Sequence, residues 1–307
     1  MRAKDFISID QLNRDELRAL ILAALDMKRS RSNGSGVLKG RTIALLFQKP
    51  SLRTRVSFEM AAMQLGGRSL YLSPAEVGLG ERESNADVAR VLSRYVDGVV
   101  ARTFLHTDVE DLASFASIPV INGLSDRSHP CQALADVLTM HERFGTTDGI
   151  KVAYVGDGNN VARSLIESAP LAGYQLHVAS PPGYEPDAAC VAQARALDGY
   201  VEVGHDPRSA VQSADVIYTD AWFSMGQEAE REARAAVFPP YRVTTELVDL
   251  AAERAIVMHC LPAHRGQEIA DDVIDGPHSA VFDQAENRLH AQKALLAALF
   301  EDSTDAR

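Results

Sequence analysis

The chain has 307 residues, of which 46% are apolar and 24% charged, a composition typical of a globular protein long enough for two domains. Its formal net charge of −11 argues against a nucleic acid or an anionic membrane as the main partner, because both need a broad basic surface. Segment 1–32 is too rich in charged residues for a signal peptide, and no membrane span is expected, so we expect a cytoplasmic protein with free thiols at Cys131, Cys190 and Cys260.

Apolar residues recur at helical spacing in segment 1–32, which predicts a first helix there. From position 41 onward, short apolar runs alternate with amphipathic stretches, a pattern typical of parallel sheets covered by helices. The strands predicted in the first half are 42–47, 68–72, 98–101 and 119–121, followed by a long helix over 130–144. The strands predicted in the second half are 151–155, 175–179, 200–203, 215–218, 255–258 and 280–282, followed by a last helix over 285–300.

This order of elements predicts an α/β fold of two doubly wound parallel-sheet domains joined by helices. We expect a first domain over 1–147, a second over 148–285, and a C-terminal helix over 286–307 that packs back on the first domain. Ligands of open α/β sheets bind beyond the carboxyl ends of the strands, so the loops after the predicted strands are where a site is expected.

The loop after the first predicted strand places Arg53 and Arg55 at the start of a helix. Free N–H groups make a helix N-terminus partly positive, so cations are mildly destabilising there unless an anion lies among them. With Ser51 as the N-cap, the N–H groups that follow it, the hydroxyl of Thr54 and the guanidinium groups predict a phosphate cradle. The alternative is that both arginines pair with surface carboxylates, which for Arg55 is nearly as well supported.

Two further loops of the first half carry polar residues after a strand. Arg102 adds a cation, although alone it indicates little. Pro130 at a first helical position places His129 as the cap and Gln132 in the first turn. A lone capping histidine is usually structural, but an imidazole N–H with a nearby amide oxygen suits a carbonyl group that carries an NH2 group.

In the second half, the glycines at 156 and 158 open a helix after a strand, as in dinucleotide-binding proteins. That interpretation is weak, because Val161 stands where the fingerprint requires glycine and no acidic residue ends the next strand. Asn160, at the helix start, is instead suited to hold a carboxylate or an amino group.

Asp220 follows another strand and precedes the only tryptophan, Trp222, in a loop typical of a substrate lid with a cation-binding carboxylate; the alternative is an ordinary surface loop. Cys260 ends a further strand, where a cysteine is by default buried packing rather than a nucleophile.

Taken together, these loops resemble those of the transcarbamoylases. The segment Ser51-Leu52-Arg53-Thr54-Arg55 is similar to the family's Ser-x-Arg-Thr-Arg loop, and His129-Pro130-Cys131-Gln132 to its His-Pro-x-Gln. Three segments are similar to marks of the ornithine branch: Ser224-Met225-Gly226, His259-Cys260-Leu261-Pro262 and Ala285-Glu286-Asn287-Arg288. These motifs follow the family's order over nearly the whole chain.

The resemblance implies transfer of a carbamoyl group from carbamoyl phosphate to L-ornithine, giving L-citrulline and phosphate. The residues it implies for carbamoyl phosphate are Ser51, Leu52, Arg53, Thr54, Arg102, His129, Gln132, Cys260, Leu261 and Arg288. Those implied for ornithine are Asn160, Asp220, Ser224 and Met225, and those implied as catalytic are Arg102, His129, Asp220 and Cys260. Arg55 becomes a structural partner. The resemblance implies no cofactor and no metal, and a homotrimer or a multiple of trimers.

Two positions depart from the family's pattern. Leu52 stands where many members have threonine, which matters little if its backbone N–H is the ligand. Gly78 stands where the family often has a glutamine that reaches a neighbouring subunit's carbamoyl phosphate, and Arg82 is our candidate replacement.

The alternatives are a transcarbamoylase for another amine, such as putrescine or an acylated ornithine, a catalytically silent relative that only binds metabolites or proteins, and a nicotinamide dehydrogenase. Two of the ornithine-branch segments, Ser224-Met225-Gly226 and His259-Cys260-Leu261-Pro262, argue against the first alternative, and the complete set of polar site residues argues against the second.

Overall fold

The structure is a computed structural model that describes residues 3–30, 36–80, 82–223 and 230–301. Its strands are β1 (Thr42–Phe47), β2 (Arg68–Leu72), β3 (Gly98–Arg102), β4 (Val120–Leu124), β5 (Lys151–Val155), β6 (Gln175–Ala179), β7 (Val201–Gly204), β8 (Val216–Thr219) and β9 (Ile256–His259). Its α-helices are α1 (Arg14–Arg29), α2 (Leu52–Gln64), α3 (Pro74–Val77), α4 (Asn85–Tyr95), α5 (His106–Phe115), α6 (Pro130–Phe144), α7 (Asn160–Ala172), α8 (Ala188–Ala196), α9 (Pro207–Val211), α10 (Arg231–Val237), α11 (Thr245–Val248), α12 (Asp271–Ile274) and α13 (Val281–Glu301).

The chain divides into two compact units. Unit 1 comprises Met1–Leu138 and Glu286–Arg307, and unit 2 comprises Thr139–Ala285. None of the helices in the described part of the chain combines the length and the apolar content that a membrane crossing needs.

Unit 1 contains a parallel sheet of four strands in the order β2-β1-β3-β4. Its central strand β1 is buried along five of its six residues, as expected for a parallel strand covered on both faces. Pairing of Phe47 with Arg102 puts the ends of β1 and β3 side by side. The loops that follow these two strands therefore start at one edge of the sheet.

Unit 2 contains a parallel sheet of five strands in the order β7-β6-β5-β8-β9. Its core includes Val155 of β5, Ile217 of β8 and Val257 of β9, all fully buried. The register of β8 on β9 pairs Thr219 with His259. Asp220 and Cys260, the next residues of the two strands, consequently leave the sheet next to one another.

The predicted two-sheet α/β fold is confirmed, with one wrong element. The predicted strands 42–47, 68–72, 151–155 and 175–179 match at both ends, and the other strands observed differ from their predictions by one to three residues at an end. Residues 280–282 are not a strand, because α13 begins at Val281. Ser279 still bridges to Val257, so the chain runs beside β9 immediately before the helix, and Phe282 is 62% exposed where an inner strand would have buried it.

Candidate active site

Ser51 caps α2 as the sequence predicts. Its hydroxyl accepts from the Thr54 N–H at 3.3 Å, and the first intrahelical bond runs from the Arg55 N–H to the Ser51 carbonyl at 3.2 Å. The N–H groups of Leu52 and Arg53 therefore precede the first helical bond and point out of the helix end. Leu52 is 75% exposed, and its aliphatic side chain has no hydrogen-bond donor, so only its backbone N–H can donate to a ligand.

Arg55 is occupied with structural contacts, which confirms the prediction for this residue. Its Nε donates to Oε1 of Glu59 at 2.8 Å, and its guanidinium lies 3.9 Å from the ring centroid of Tyr71. Arg53, by contrast, acts electrostatically on His129. The two arginines thus make different interactions, because residues two positions apart on a helix face different directions.

His129 is buried and lies among three guanidinium groups in unit 1. Burial and the positive charges of Arg288, Arg102 and Arg53 lower the pKa of His129 well below its ordinary value of 6.5. The imidazole is consequently neutral near pH 7, with one N–H donor and one acceptor nitrogen. A neutral donor surrounded by cations suits an anionic ligand that carries a carbonyl oxygen.

Arg288 connects two motifs of unit 1. Its Nη1 donates to Oε1 of Gln132 at 2.7 Å, and its Nη2 donates to Oγ1 of Thr54 at 3.2 Å. The Gln132 amide is fixed at its other end, because its Nε2 donates to Asp136 Oδ1 at 2.8 Å. With the Gln292 amide oriented to satisfy both of its ends, its oxygen accepts from Arg288 Nε at 3.1 Å. These buried contacts fix Thr54 and Gln132 in single orientations.

Lys49 is a buried cation of the same region that the sequence analysis missed. It is 8% exposed, and its Nζ lies 4.7 Å from the ring centroid of Phe104. Burial and the charge of Arg102 lower the pKa of Lys49. Its position directly before Pro50 and Ser51, in a loop after a buried strand, was the available signal.

Asp220 is the centre of a hydrogen-bonded group in unit 2. Its Oδ1 accepts from Sγ of Cys260 at 2.9 Å and from the Ala221 N–H at 2.8 Å, and its Oδ2 accepts from Nδ2 of Asn159 at 2.8 Å. Asn159 is the N-cap of α7 and was missed from the sequence. Asn160, the predicted residue, is the first residue of that helix.

Asp220, His259 and Cys260 are the one cluster of possible metal ligands among the described residues, with ligand atoms within 4.8 Å of one another. His259 is already engaged, since its Nδ1 accepts from the Leu261 N–H at 2.8 Å and its Nε2 lies 3.1 Å from Oε1 of Glu268. A metal at this position would have to break one of these contacts, and the arrangement fits a hydrogen-bonded thiol and carboxylate instead.

The predicted residues Ser224 and Met225 lie outside the described residues, but both flanks of their segment are anchored by Arg234. Its Nη1 donates to the Trp222 carbonyl at 2.8 Å and to Oδ2 of Asp157 at 2.9 Å, and its Nε donates to Oε2 of Glu230 at 2.9 Å. Burial raises the pKa of Asp157 to about 6. The charge of Arg234 acts in the opposite direction and lowers this pKa, whereas the negative charge of Asp220 raises it further.

Packing explains the glycine that suggested a dinucleotide fingerprint. A Cβ on Gly158 would lie 2.2 Å from the backbone nitrogen of Pro186 and 2.3 Å from the carbonyl carbon of Glu185. The absent side chain therefore makes room for the chain's own backbone.

Residues 4–142 match the carbamoyl-P binding domain of the aspartate/ornithine carbamoyltransferases, and residues 148–299 match the Asp/Orn binding domain of the same family. The chain belongs to the aspartate/ornithine carbamoyltransferase family. An ornithine carbamoyltransferase of Thermococcus kodakarensis is 54% identical over 303 residues, covering 97% of this chain and 96% of the relative. A relative from Pyrococcus furiosus named as an anabolic ornithine carbamoyltransferase is 52% identical over 303 residues, covering 97% of this chain and 96% of the relative.

Solved structures give the same result. The crystal structure of ornithine carbamoyltransferase from Thermus thermophilus superposes with a TM-score of 0.91 at 47% identity, covering 98% of this chain and 100% of that one. The enzyme from Pyrococcus furiosus superposes with a TM-score of 0.92 at 52% identity, covering 95% and 96% of the two chains.

Within this family, the departure at Gly78 has a local cause. Gly78 ends α3 in the left-handed conformation, with φ of 53°, and a Cβ there would lie 2.9 Å from Cβ of Arg82. A glutamine would be strained at this position for both reasons. The space that a side chain at position 78 would need is occupied by Cβ of Arg82, and the Arg82 side chain is exposed.

Proposed function

We propose that this protein transfers the carbamoyl group of carbamoyl phosphate to the δ-amino group of L-ornithine, giving L-citrulline and phosphate, in arginine metabolism. The observation that carries the proposal is the buried neutral His129 among Arg53, Arg102 and Arg288, within the part of the chain that matches the family's carbamoyl-P binding domain. We place the domain boundaries at 147/148 and 285/286.

The phosphate group binds at the start of α2. Ser51, Leu52, Arg53 and Thr54 supply backbone N–H groups and side-chain donors, and Arg102 adds a positive charge. The Leu52 N–H precedes the first helical bond, which supports a ligand role for it. Lys49 adds to the positive potential of the loop.

The carbamoyl group binds beside this phosphate. Arg102, His129 and Thr54 donate to the carbamoyl oxygen, and the lone pair of Gln132 Oε1 that Arg288 does not use accepts from the NH2 group. Thr54 is already held by Arg288, and Arg102 and His129 are buried, so these donors stabilise the oxyanion of the tetrahedral intermediate with little reorganisation.

Ornithine binds to residues of unit 2. Asp220 faces its amino groups, with Asn160, Ser224 and Met225 as further ligands, while Cys260 and the Leu261 backbone lie near the δ-amino nitrogen. The thiol of Cys260 already donates to Asp220, so the carboxylate keeps a fixed direction.

The chemical step is an addition followed by an elimination. The δ-ammonium group first loses a proton, and the neutral nitrogen then attacks the carbamoyl carbon and forms a C–N bond. The intermediate expels phosphate as the C–O bond breaks, and the nitrogen releases its second proton. Positioning of two substrates and stabilisation of one oxyanion account for this reaction without a covalent enzyme intermediate.

We further propose a cytoplasmic homotrimer, or a multiple of trimers. An apolar face of α2 is exposed at Leu52 (75%), Val56 (45%) and Met63 (58%), which is the kind of surface that a subunit contact buries. In this assembly Arg82 replaces the glutamine contact to a neighbouring subunit's carbamoyl phosphate. Light scattering tests the assembly, and an unchanged KM for carbamoyl phosphate in Arg82→Ala would rule out that role for Arg82.

A steady-state amine screen with carbamoyl phosphate tests the function. L-ornithine should give citrulline with the highest kcat/KM among ornithine, N-acetylornithine, putrescine and aspartate. A higher kcat/KM for another amine would replace the proposed substrate, and the absence of any carbamoylated product would reject the proposal.

A further inference from the structure

The loop after β9 contains a leucine in the left-handed backbone conformation. Leu261 has φ of 58°, which is strained for a residue with a side chain and persists only where the surroundings impose it. The Leu261 N–H donates to Nδ1 of His259 at 2.8 Å. The imidazole two residues earlier therefore belongs to the surroundings that impose this conformation.

His259 is itself held at both ends. It is 1% exposed, its backbone N–H donates to Oε1 of Gln284 at 2.8 Å, and its Nε2 lies 3.1 Å from Oε1 of Glu268. Because a backbone N–H can only donate, Nδ1 must be the unprotonated nitrogen, and Nε2 carries the proton donated to Glu268. The contacts thus assign the tautomer of His259.

Glu268 connects the two ends of the loop. It is fully buried, and its Oε1 also accepts from the His264 N–H at 2.5 Å. A carboxylate removed from water is costly unless its hydrogen bonds replace the lost hydration. These contacts run to the loop itself, so removal of the carboxylate would release the loop rather than a distant part of the core.

We propose that His259 and Glu268 are positioning residues for the carbamoyl transfer: Glu268 orients the imidazole, and the imidazole fixes the Leu261 peptide that faces the attacking amine. This inference rests on the proposed function, in which the Leu261 backbone lies near the δ-amino nitrogen. A peptide held in one orientation aligns the nitrogen lone pair with the carbamoyl carbon, whereas a rotated peptide would leave both substrates bound but misaligned.

The test compares His259→Asn with His259→Gln in a chain that keeps Glu268, because removal of its carboxylate would itself release the loop. In both variants Oε1 of Glu268 can still accept from the His264 N–H. An asparagine amide oxygen falls near the position of Nδ1 and can still accept from the Leu261 N–H, whereas a glutamine amide reaches only the position of Nε2. We expect the glutamine variant to lose about 100-fold in kcat with KM for carbamoyl phosphate within about twofold, and the asparagine variant to recover much of the loss.

Tyr174→Phe is the control for a general loss of stability. It removes two buried hydrogen bonds of unit 2, from the Tyr174 hydroxyl to the Leu165 carbonyl at 2.5 Å and between that hydroxyl and Oγ of Ser168 at 2.7 Å, without touching the loop. All variants are assayed well below their Tm. Equal kcat in the asparagine and glutamine variants, or an equal loss in Tyr174→Phe, would overturn the inference.

A second readout does not depend on activity. Cys260 is partly exposed, whereas Cys131 and Cys190 are buried, so its alkylation by iodoacetamide reports on the loop. The rate should change severalfold in the glutamine variant and less in the asparagine variant, and equal rates would overturn the inference. A wild-type protein that makes no citrulline overturns the proposed function, and the alkylation rates then decide separately whether His259 fixes the loop.

Discussion

Arg288 and Gln132 lie 156 positions apart in the sequence, yet Nη1 of the arginine donates to Oε1 of the glutamine at 2.7 Å. The same guanidinium donates to Thr54 of the proposed phosphate site. One arginine of the last helix thus fixes two motifs from separate loops of unit 1, by using the fork of donors that a guanidinium supplies.

Replacement of the Arg288 guanidinium should impair catalysis even when the positive charge at this position is kept. Arg288→Lys keeps the positive charge but loses the planar fork whose separate nitrogens reach Gln132 and Thr54, so kcat/KM for carbamoyl phosphate should fall about 100-fold. Arg41→Lys is a matched control, because Arg41 also belongs to unit 1 and donates to the backbone of α13, at the Phe300 carbonyl. An Arg288→Lys variant as active as Arg41→Lys would refute the role of the fork.

The neighbouring arginines of α2 should respond differently to the same substitution. Arg53→Gln removes a proposed phosphate ligand and should raise KM for carbamoyl phosphate by about tenfold or more. Arg55→Gln removes an exposed ion pair with Glu59 and should lower the free energy of unfolding by less than about 1 kcal/mol, with KM nearly unchanged. Steady-state titration of carbamoyl phosphate distinguishes the pair, and equal KM values in the two variants would contradict the assignment.

Leu52 tests whether the backbone or the side chain binds phosphate. Leu52→Thr should leave KM for carbamoyl phosphate nearly unchanged. Leu52→Pro removes the N–H group as well as the leucine side chain, and Leu52→Thr controls for the side chain. Proline is well tolerated at the first helical position, and Ser51 already has the extended conformation that precedes a proline. Leu52→Pro should raise KM severalfold while circular dichroism stays unchanged. An unaltered KM in Leu52→Pro would exclude the N–H group as a ligand.

Asp157 should give stability a measurable pH dependence. Its pKa is raised from 3.8 to about 6, so the native state holds a proton that the unfolded chain releases in this range. The stabilising contribution is present below the ordinary pKa and is lost as the pH rises through about 6. The free energy of unfolding of Asp157→Asn, relative to wild type, should therefore increase by up to about 3 kcal/mol from about pH 4 to about pH 7.

Urea unfolding monitored by Trp222, the single tryptophan and a residue of the same unit as Asp157, measures this difference. A difference that does not vary with pH would show that the carboxyl group titrates alike in the native and unfolded states.

Activity should rise toward alkaline pH. Only the neutral δ-amine reacts, the pKa of a free alkylammonium is about 10, and Asp220 makes loss of its proton harder. Log kcat/KM for ornithine should increase by about one unit per pH unit over the neutral range. His129 should add no step near pH 6.5, because its pKa is held well below that value. A flat profile between neutral and alkaline pH would contradict this account of the nucleophile.

The elements that were predicted correctly are those that a short stretch of neighbouring residues is enough to define. Strand β1 is an unbroken apolar run, and the cap at Ser51 needs only a hydroxyl before a helix. The strand predicted at 280–282 was wrong because it also rested on a short local pattern. A run of three apolar residues does not distinguish a strand from the first turn of a buried helix.

The contacts that sequence could not supply are those between distant segments. Asn159 and Asn160 are chemically equivalent neighbours, and only the direction of the α7 cap selects Asn159 as the donor to Asp220. Glu268 belongs to none of the motifs recognised in the sequence. Its proposed role follows from its contact with His259, which only the folded chain brings about. Lys49 stood beside the predicted cradle, but its burial depends on Phe104 from another loop.

The backbone of residues 185 and 186 fills the space beside Gly158. Doubly wound domains that hold dinucleotides use the glycines of this turn to admit a pyrophosphate. In this chain the same space is filled by backbone, so mutations that completed the glycine fingerprint would create no room for a nucleotide. An evolutionary or engineered route to such a cofactor would first have to shorten or redirect the loop after β6, and the barrier to that change lies in chain path rather than in side-chain chemistry.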